Sequence, residues 1–239
     1  MSNTALILAG GQGTRMEQDI PKQFMTIKDR PLIVHTLEIF HEHPEINSIA
    51  VVCLTGWENF LRKQAEKFKI SKLKYIFPGG ETSQTSISNG VFGLEKILNP
   101  NDVVLIHTAN RPFVSFTAIS DCIAKTRQYG SSVAVVPVSE PVIKIADKIS
   151  SEKICGRDKL RLFQTPTGFV LKNVCELYRK AFKQGLKNSF MASTLQIEIG
   201  EKIYFCKGSR KNIKLTFPED IEIFETLLAN KKFCDSLRT

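Results

Sequence analysis

Five short apolar runs, separated by stretches of helical periodicity, constrain this chain more than any other feature. Ala5–Leu8, Ile49–Leu54, Lys74–Phe77, Val103–Ile106 and Ser132–Val136 are the candidate strands. Four of them are built largely from Val, Ile, Leu and Ala and are apolar on both faces, as expected in a sheet covered on both sides. Helical patterns fall between them at Leu32–His41, Asn59–Phe68, Thr85–Leu98 and Ala118–Tyr129. In the first, Leu32, Ile33, Thr36, Leu37 and Phe40 recur at the helical spacing and share one face. Gly or Pro punctuates the joins at Gly10-Gly11, Pro21, Pro44, Pro78-Gly79-Gly80, Pro100 and Pro112. Alternating strands and helices of this kind predict an α/β fold with a doubly wound, mostly parallel sheet.

The pattern breaks at Ser139–Arg161, where short alternation (Val142, Lys144, Ala146) is mixed with many charges. This stretch predicts a hairpin or arm projecting from the sheet and available to a partner subunit. Helical periodicity returns over Phe169–Gly185, a late strand is expected at Lys202–Cys206, and a terminal helix at Asp220–Leu228. Pro218-Glu219-Asp220 suits the start of that last helix, because acidic groups complement the helix dipole there. The reading is therefore one domain over residues 1–239 with an arm at about 139–161, and 239 residues bury a sizeable core without staples.

Composition removes several function classes. No apolar run approaches the ~18 residues of a membrane span, and no basic stretch precedes the first apolar run as in a secretory signal. The six cysteines form no Cys-x-x-Cys pair, so zinc-ribbon and redox sites are excluded and reduced, cytoplasmic thiols are expected. Thirty-three Lys and Arg against 24 Asp and Glu give a net charge of +9. That excess suits an anionic ligand, but no basic–aromatic interleaving of the RNA-binding type accompanies it.

The chemistry-bearing segment follows the first strand directly: Leu8-Ala-Gly-Gly-Gln-Gly-Thr-Arg-Met16. Gly10, Gly11 and Gly13 let backbone N–H groups approach an anion closely, and Arg15 carries a fork that matches phosphate. The spacing fits neither the dinucleotide fingerprint, which lacks its third glycine here, nor the Walker A loop, which lacks its Lys-Ser/Thr. Lys22 follows within Ile20-Pro-Lys-Gln-Phe24, and two cations flanking a Gly-rich loop form a clamp suited to a triphosphate.

Taken with Pro31-Leu-Ile-Val-His-Thr36, these segments resemble the opening of the cytidylyltransferases that activate polyol phosphates, the family of methylerythritol 4-phosphate and ribitol 5-phosphate cytidylyltransferases. Later matches keep the same order: Gly79-Gly80, Ser86 with Asn89-Gly90, His107 with Arg111-Pro-Phe113, Gln164-Thr-Pro166, and Asn212-Ile-Lys-Leu-Thr216 with Pro218-Glu-Asp220. The resemblance spans about residues 4–228. It implies a Rossmann-like nucleotidyltransferase fold, CTP and a polyol phosphate as substrates, Mg²⁺ as cofactor, and a homodimer joined through the arm. It further implies that Ala9, Gly10, Gly11, Gly13, Arg15 and Lys22 hold the triphosphate and that Lys214 approaches it. Gly80 and Ser86 would lie at the cytosine. Arg111, Thr165 and Ser189 would line the polyol-phosphate pocket, with Arg157 offered by a neighbouring subunit's arm.

The chain also departs from the family pattern. The family's His-Asp-x-x-Arg-Pro reads His107-Thr-Ala-Asn-Arg-Pro112, so Thr108 stands where the resemblance implies a metal-holding aspartate. The arginine of the Gly-Gly-x-x-Arg stretch is Ser83, and the Thr-Asp-Asp/Glu-Ala-Ser turn reads Ser189-Phe-Met-Ala-Ser193. Glu81 and Glu140 are the substitute carboxylates to examine. The departures keep a second reading open, a catalytically impaired nucleotide-binding homologue with a regulatory or scaffold role. The doubled glycine and Trp57 before a helix point to the ribitol branch, with the methylerythritol branch still open.

Overall fold

The computed structural model describes residues 1–11 and 20–239. The chain begins with β1 (Asn3–Ala9); after a single 3-10 turn at Lys22–Phe24 come the two-residue strands β2 (Thr26–Ile27) and β3 (Arg30–Pro31). Pro31 holds φ at −57° immediately before α1 (Leu32–Glu42), which suits the entry to a helix. There follow β4 (Ser48–Cys53), α2 (Glu58–Lys67), β5 (Leu73–Pro78), α3 (Ser83–Glu95), β6 (Val103–Thr108), α4 (Phe116–Tyr129) and β7 (Ser131–Pro137). Two short strands, β8 (Val142–Lys144) and β9 (Lys153–Cys155), precede β10 (Arg161–Val170), α5 (Leu171–Lys183) and α6 (Ala192–Glu198). The chain finishes with β11 (Phe205–Lys207), α7 (Glu219–Ala229) and α8 (Lys231–Asp235).

One seven-stranded sheet organises these elements in the order β11-β7-β10-β6-β1-β4-β5. β1 pairs in parallel with both β4 and β6, and β4 in parallel with β5. Winding runs outward from β1 through β4 to β5 and then returns to set β6 on β1's other side. That reversal leaves a crevice outside the carboxyl ends of β1 and β6, the place where open α/β sheets bind ligands. Side chains of β1 alternate between the two faces, so Ala5, Ile7 and Ala9 join one core with α1, α2 and α4. Leu6 joins the other, with α3, α5 and α6. A third cluster, around Leu32, Phe113, Leu215 and Phe224, ties the C-terminal helices to the molecule.

Helix boundaries follow local chemistry. The Thr82 and Thr85 side chains cap α3 reciprocally. Ser115 caps α4, which ends at Gly130 with φ +86°. On α3, a Cβ at Gly90 would lie 2.7 Å from Val52 and 2.9 Å from Leu6, so the absent side chain lets this helix sit close on the sheet.

Five predicted strands and four predicted helices have counterparts, with ends shifted: Leu54 lies beyond β4, and α3 stops at Glu95. The late strand is Phe205–Lys207 instead of Lys202–Cys206. The sequence reading missed β10. Its Pro166 and Gly168 argue against a strand, yet it pairs antiparallel with both β6 and β7, making the sheet mixed. Its register on β7 shifts between Phe163 and Thr167, and the Thr165–Pro166 peptide in that gap is cis. The predicted helix Phe169–Gly185 accordingly loses its first residues to β10, where Phe169 is buried in the core. The 139–161 segment does contain a separate hairpin, in which β8 pairs only with β9.

Candidate active site

The crevice at the strand ends is a cleft of about 480 Å³ lined by Gly10, Gly11, Gly80, Glu81, Ser86 and Thr108, among others. Gly10 leaves β1, Gly79 and Gly80 leave β5, and their backbones touch. A Cβ on Gly10 would fall 3.3 Å from the Gly79 Cα, and one on Gly79 would fall 3.2 Å from the Cys53 carbonyl oxygen. Gly80 is tighter, since its Cβ would lie 2.4 Å from Thr85 Oγ1 and 3.0 Å from the Ser86 nitrogen. Ser86 Oγ accepts the Gly80 N–H at 2.9 Å and donates to the Gly80 carbonyl at 3.2 Å. Of the residues expected at the nucleotide, Gly10, Gly11, Gly80 and Ser86 line this cleft. Gly13 and Arg15 lie outside the described residues.

Gln23 was not singled out by sequence reasoning, yet it fixes the glycine loop. Its Nε2 donates to both the Ala9 and Gly11 carbonyls at 2.8 Å. A carboxamide adjoining the predicted clamp lysine was the available signal. Lys22 beside it is buried, and its Nζ donates to the Leu215 carbonyl at 2.6 Å. Asn110 Nδ2 donates to the same oxygen at 2.8 Å. Lys22 therefore joins the N-terminal loop to the 212–216 segment that carries Lys214.

A second cleft of about 360 Å³ is lined by Arg111, Ser139, Gln164, Asn212 and Lys214, among others. Arg111 Nη1 donates to the Asn212 carbonyl at 2.6 Å, and Asn212 Nδ2 donates to the Thr165 carbonyl at 2.7 Å. Fully buried Asn212, another residue the sequence reading left without a role, links the predicted acceptor residues Arg111 and Thr165. Burial lowers the Arg111 pKa to about 10, so the guanidinium stays charged at neutral pH while partly stripped of water. His107, behind it, donates its Nε2–H to the Arg111 carbonyl at 3.0 Å and is fully buried. Desolvation holds its pKa near 3, so it is an uncharged structural group. Lys214 Nζ sits 5.1 Å from the centre of the Phe190 ring, and Phe190 lines the first cleft. The two clefts meet at this pair.

The remaining predicted residues have identifiable structural partners. The Thr108 and Thr165 hydroxyls lie 3.4 Å apart. Buried Ser189 donates its N–H to Gln84 Oε1 at 2.8 Å, and its Oγ lies 2.9 Å from Thr194 Oγ1. Arg157 is exposed on the arm, its Nη1 donating to the Ser139 carbonyl of its own chain at 2.8 Å. Glu81 lines the first cleft, whereas Glu140 is exposed at the base of the arm. Among the described residues, no group of three His, Cys, Asp or Glu side chains could hold a metal. A neutral threonine hydroxyl is a poor ligand for a hard divalent cation, so the residues at Thr108 do not fit a protein-held Mg²⁺.

A glycine-lined cleft at the switch point, joined to a basic one, is a geometry for a phosphorylated nucleotide beside a second anion. The model of the IspD family, 2-C-methyl-D-erythritol 4-phosphate cytidylyltransferase, matches residues 4–230. The chain belongs to that family. It is 36% identical to the ribitol-5-phosphate cytidylyltransferase of Lacticaseibacillus paracasei, over 96% of this chain and 99% of the relative. It is 35% identical to the 2-C-methyl-D-erythritol 4-phosphate cytidylyltransferase of Clostridium botulinum, over 95% of this chain and 97% of the relative. Among solved structures, the IspD enzyme of Francisella tularensis superposes with a TM-score of 0.75 at 27% identity, covering 95% of this chain and 99% of its own. Fold and family agree with the resemblance read from the sequence.

Proposed function

We propose that this IspD family member transfers a cytidylyl group from CTP to ribitol 5-phosphate, giving CDP-ribitol and pyrophosphate. The observation that carries the reading is the pairing of the two clefts at the Lys214–Phe190 contact. CTP lies in the first, its triphosphate on the N–H groups of the Gly10–Gly13 loop with Arg15 and Lys22, its cytosine at Gly80 and Ser86. The acceptor phosphate lies in the second, held by Arg111 and Lys214 near Thr165 and Ser189. One of its oxygens attacks the α-phosphorus in line, and the bond from that phosphorus to the α,β-bridging oxygen breaks. Negative charge grows on the departing pyrophosphate, where fixed cations and N–H dipoles stabilise the transition state more than the ground state. Residue 108 is a threonine and offers no carboxylate to hold a metal, and Mg²⁺ accompanying CTP belongs to the substrate.

Exposed isoleucines on the arm support a homodimer. Ile143 and Ile154 are paired across β8 and β9, 57% and 78% exposed, and form an apolar face without a core of its own. Among the described residues no helix is long and apolar enough to cross a membrane, and a cytoplasmic setting fits the six free cysteines. The test is pyrophosphate release with CTP, ATP, GTP and UTP against ribitol 5-phosphate and methylerythritol 4-phosphate. Turnover only with CTP and ribitol 5-phosphate is expected. A preference for methylerythritol 4-phosphate overturns the acceptor, and CTP binding without release favours the impaired homologue, the reading that Thr108 supports.

A further inference from the structure

The loop between β11 and α7 carries two adjacent cations that the fold sends to different places. Gln164 clasps this loop through both ends of its amide, accepting the Ser209 N–H at 3.1 Å and donating to the Ser209 carbonyl at 3.0 Å. Gly208 holds the preceding residue against β7, its N–H donating to the Val135 carbonyl at 3.0 Å, where a Cβ would lie 2.7 Å from that oxygen. The Asn212 N–H closes the turn onto the Ser209 carbonyl at 3.0 Å. Within this pinned turn, Lys211 points to α8, its Nζ 2.6 Å from Ser236 Oγ and 5.4 Å from the centre of the Phe233 ring. Arg210 instead lines the second cleft with Arg111 and Lys214. Among the described residues lining that cleft there is no carboxylate. A cleft with part-buried Arg111 on one side and exposed Arg210 at its edge suits a dianionic phosphomonoester.

We propose that Arg210 is a specificity-determining residue for the acceptor, a cation at the mouth of the cleft that grips the phosphomonoester facing Arg111. The inference rests on the two-cleft reading above and adds a residue to it. Because Arg210 is held on a clasped turn, its side chain is the only part that must be ordered on binding, which lowers the entropic cost. It acts on acceptor affinity and leaves the nucleotide cleft alone.

Initial rates with CTP and ribitol 5-phosphate, on the full-length protein, test this with four variants. Arg210→Ala should raise the acceptor KM by about ten-fold, the effect of one lost charge-assisted hydrogen bond, with the CTP KM unmoved. Arg210→Lys should recover part of the loss, and Arg210→Glu should exceed it. Lys211→Ala, one residue away and turned onto α8, should leave the acceptor KM at the wild-type value. An unchanged acceptor KM in Arg210→Ala overturns the proposal, as does an equal rise in Lys211→Ala, which would mark a diffuse charge effect. A change confined to the CTP KM overturns it too. Wild-type protein inert toward both polyol phosphates overturns the functional reading and this proposal with it, whereas an active enzyme with an unchanged acceptor KM in Arg210→Ala overturns this proposal alone.

Discussion

At the residue scale, the site depends on groups whose replacement has a calculable direction. Lys22→Ala removes a buried ammonium from the proposed triphosphate clamp and from the Leu215 carbonyl. We expect CTP affinity to fall by about 1.5–3 kcal/mol, the range for a hydrogen bond to a charged group, as read by titration calorimetry. Thr108→Asp puts a carboxylate where the Thr108 hydroxyl now lies 3.4 Å from that of Thr165. If a fixed metal contact is what limits the wild-type rate, kcat should rise on the order of 10²-fold in Mg²⁺. A kcat of ~10 s⁻¹ in the wild type, ordinary for enzymes, would show that catalysis needs no carboxylate at this position. His107 gives a pH signature. Its folded pKa of about 3 lies below the 6.5 of an unperturbed imidazole, so the unfolded state binds the extra proton between those values. Stability therefore falls as pH drops below 6.5, by up to about 1.4 kcal/mol per unit from this residue. Urea midpoints from pH 7 to 5 should show the slope, and His107→Gln should lessen it; an equal slope in that variant contradicts the assignment.

At the level of elements, legibility divided along physical lines. Buried parallel strands are apolar on both faces, so β1, β4 and β6 could be read directly from their composition. β10 could not, because pairing with β6 and β7 stabilises a Thr-Pro-Thr-Gly segment whose local preferences oppose a strand. Its Phe169 also merged with the apolar pattern of α5, which moved the predicted helix start. Of the cleft lining, Gly10 and Gly11 were legible because close backbone approach demands glycine, whereas Gly80 and Ser86 were placed by the family resemblance alone. Gln23 and Asn212 were not, since an amide that clamps two carbonyls has no pattern until the chain folds. The arm carries its own prediction. Ile143→Asp with Ile154→Asp places two charges on its apolar pair, and light scattering should then give a monomer where the wild type gives a dimer. The thermal midpoint should move little, because β8 and β9 pair only with each other. A monomeric wild type at micromolar concentration contradicts the arm's assigned role.

For the whole molecule, the fold explains why the two clefts adjoin. Returning the chain to place β6 beside β1 opens the crevice, and the antiparallel β10 then brings Thr165 against Thr108 and, through Asn212, against Arg111. The 212–216 segment completes the arrangement by meeting Lys22, Asn110 and Arg111 at once. The central claim is that this junction joins the two bound anions covalently, and product stoichiometry measures that most directly. Protein incubated with CTP and ribitol 5-phosphate should yield CDP-ribitol and pyrophosphate in equal amounts by mass spectrometry and coupled assay. CTP consumed to CMP without CDP-ribitol, or CTP bound and recovered intact beside the acceptor, would contradict it.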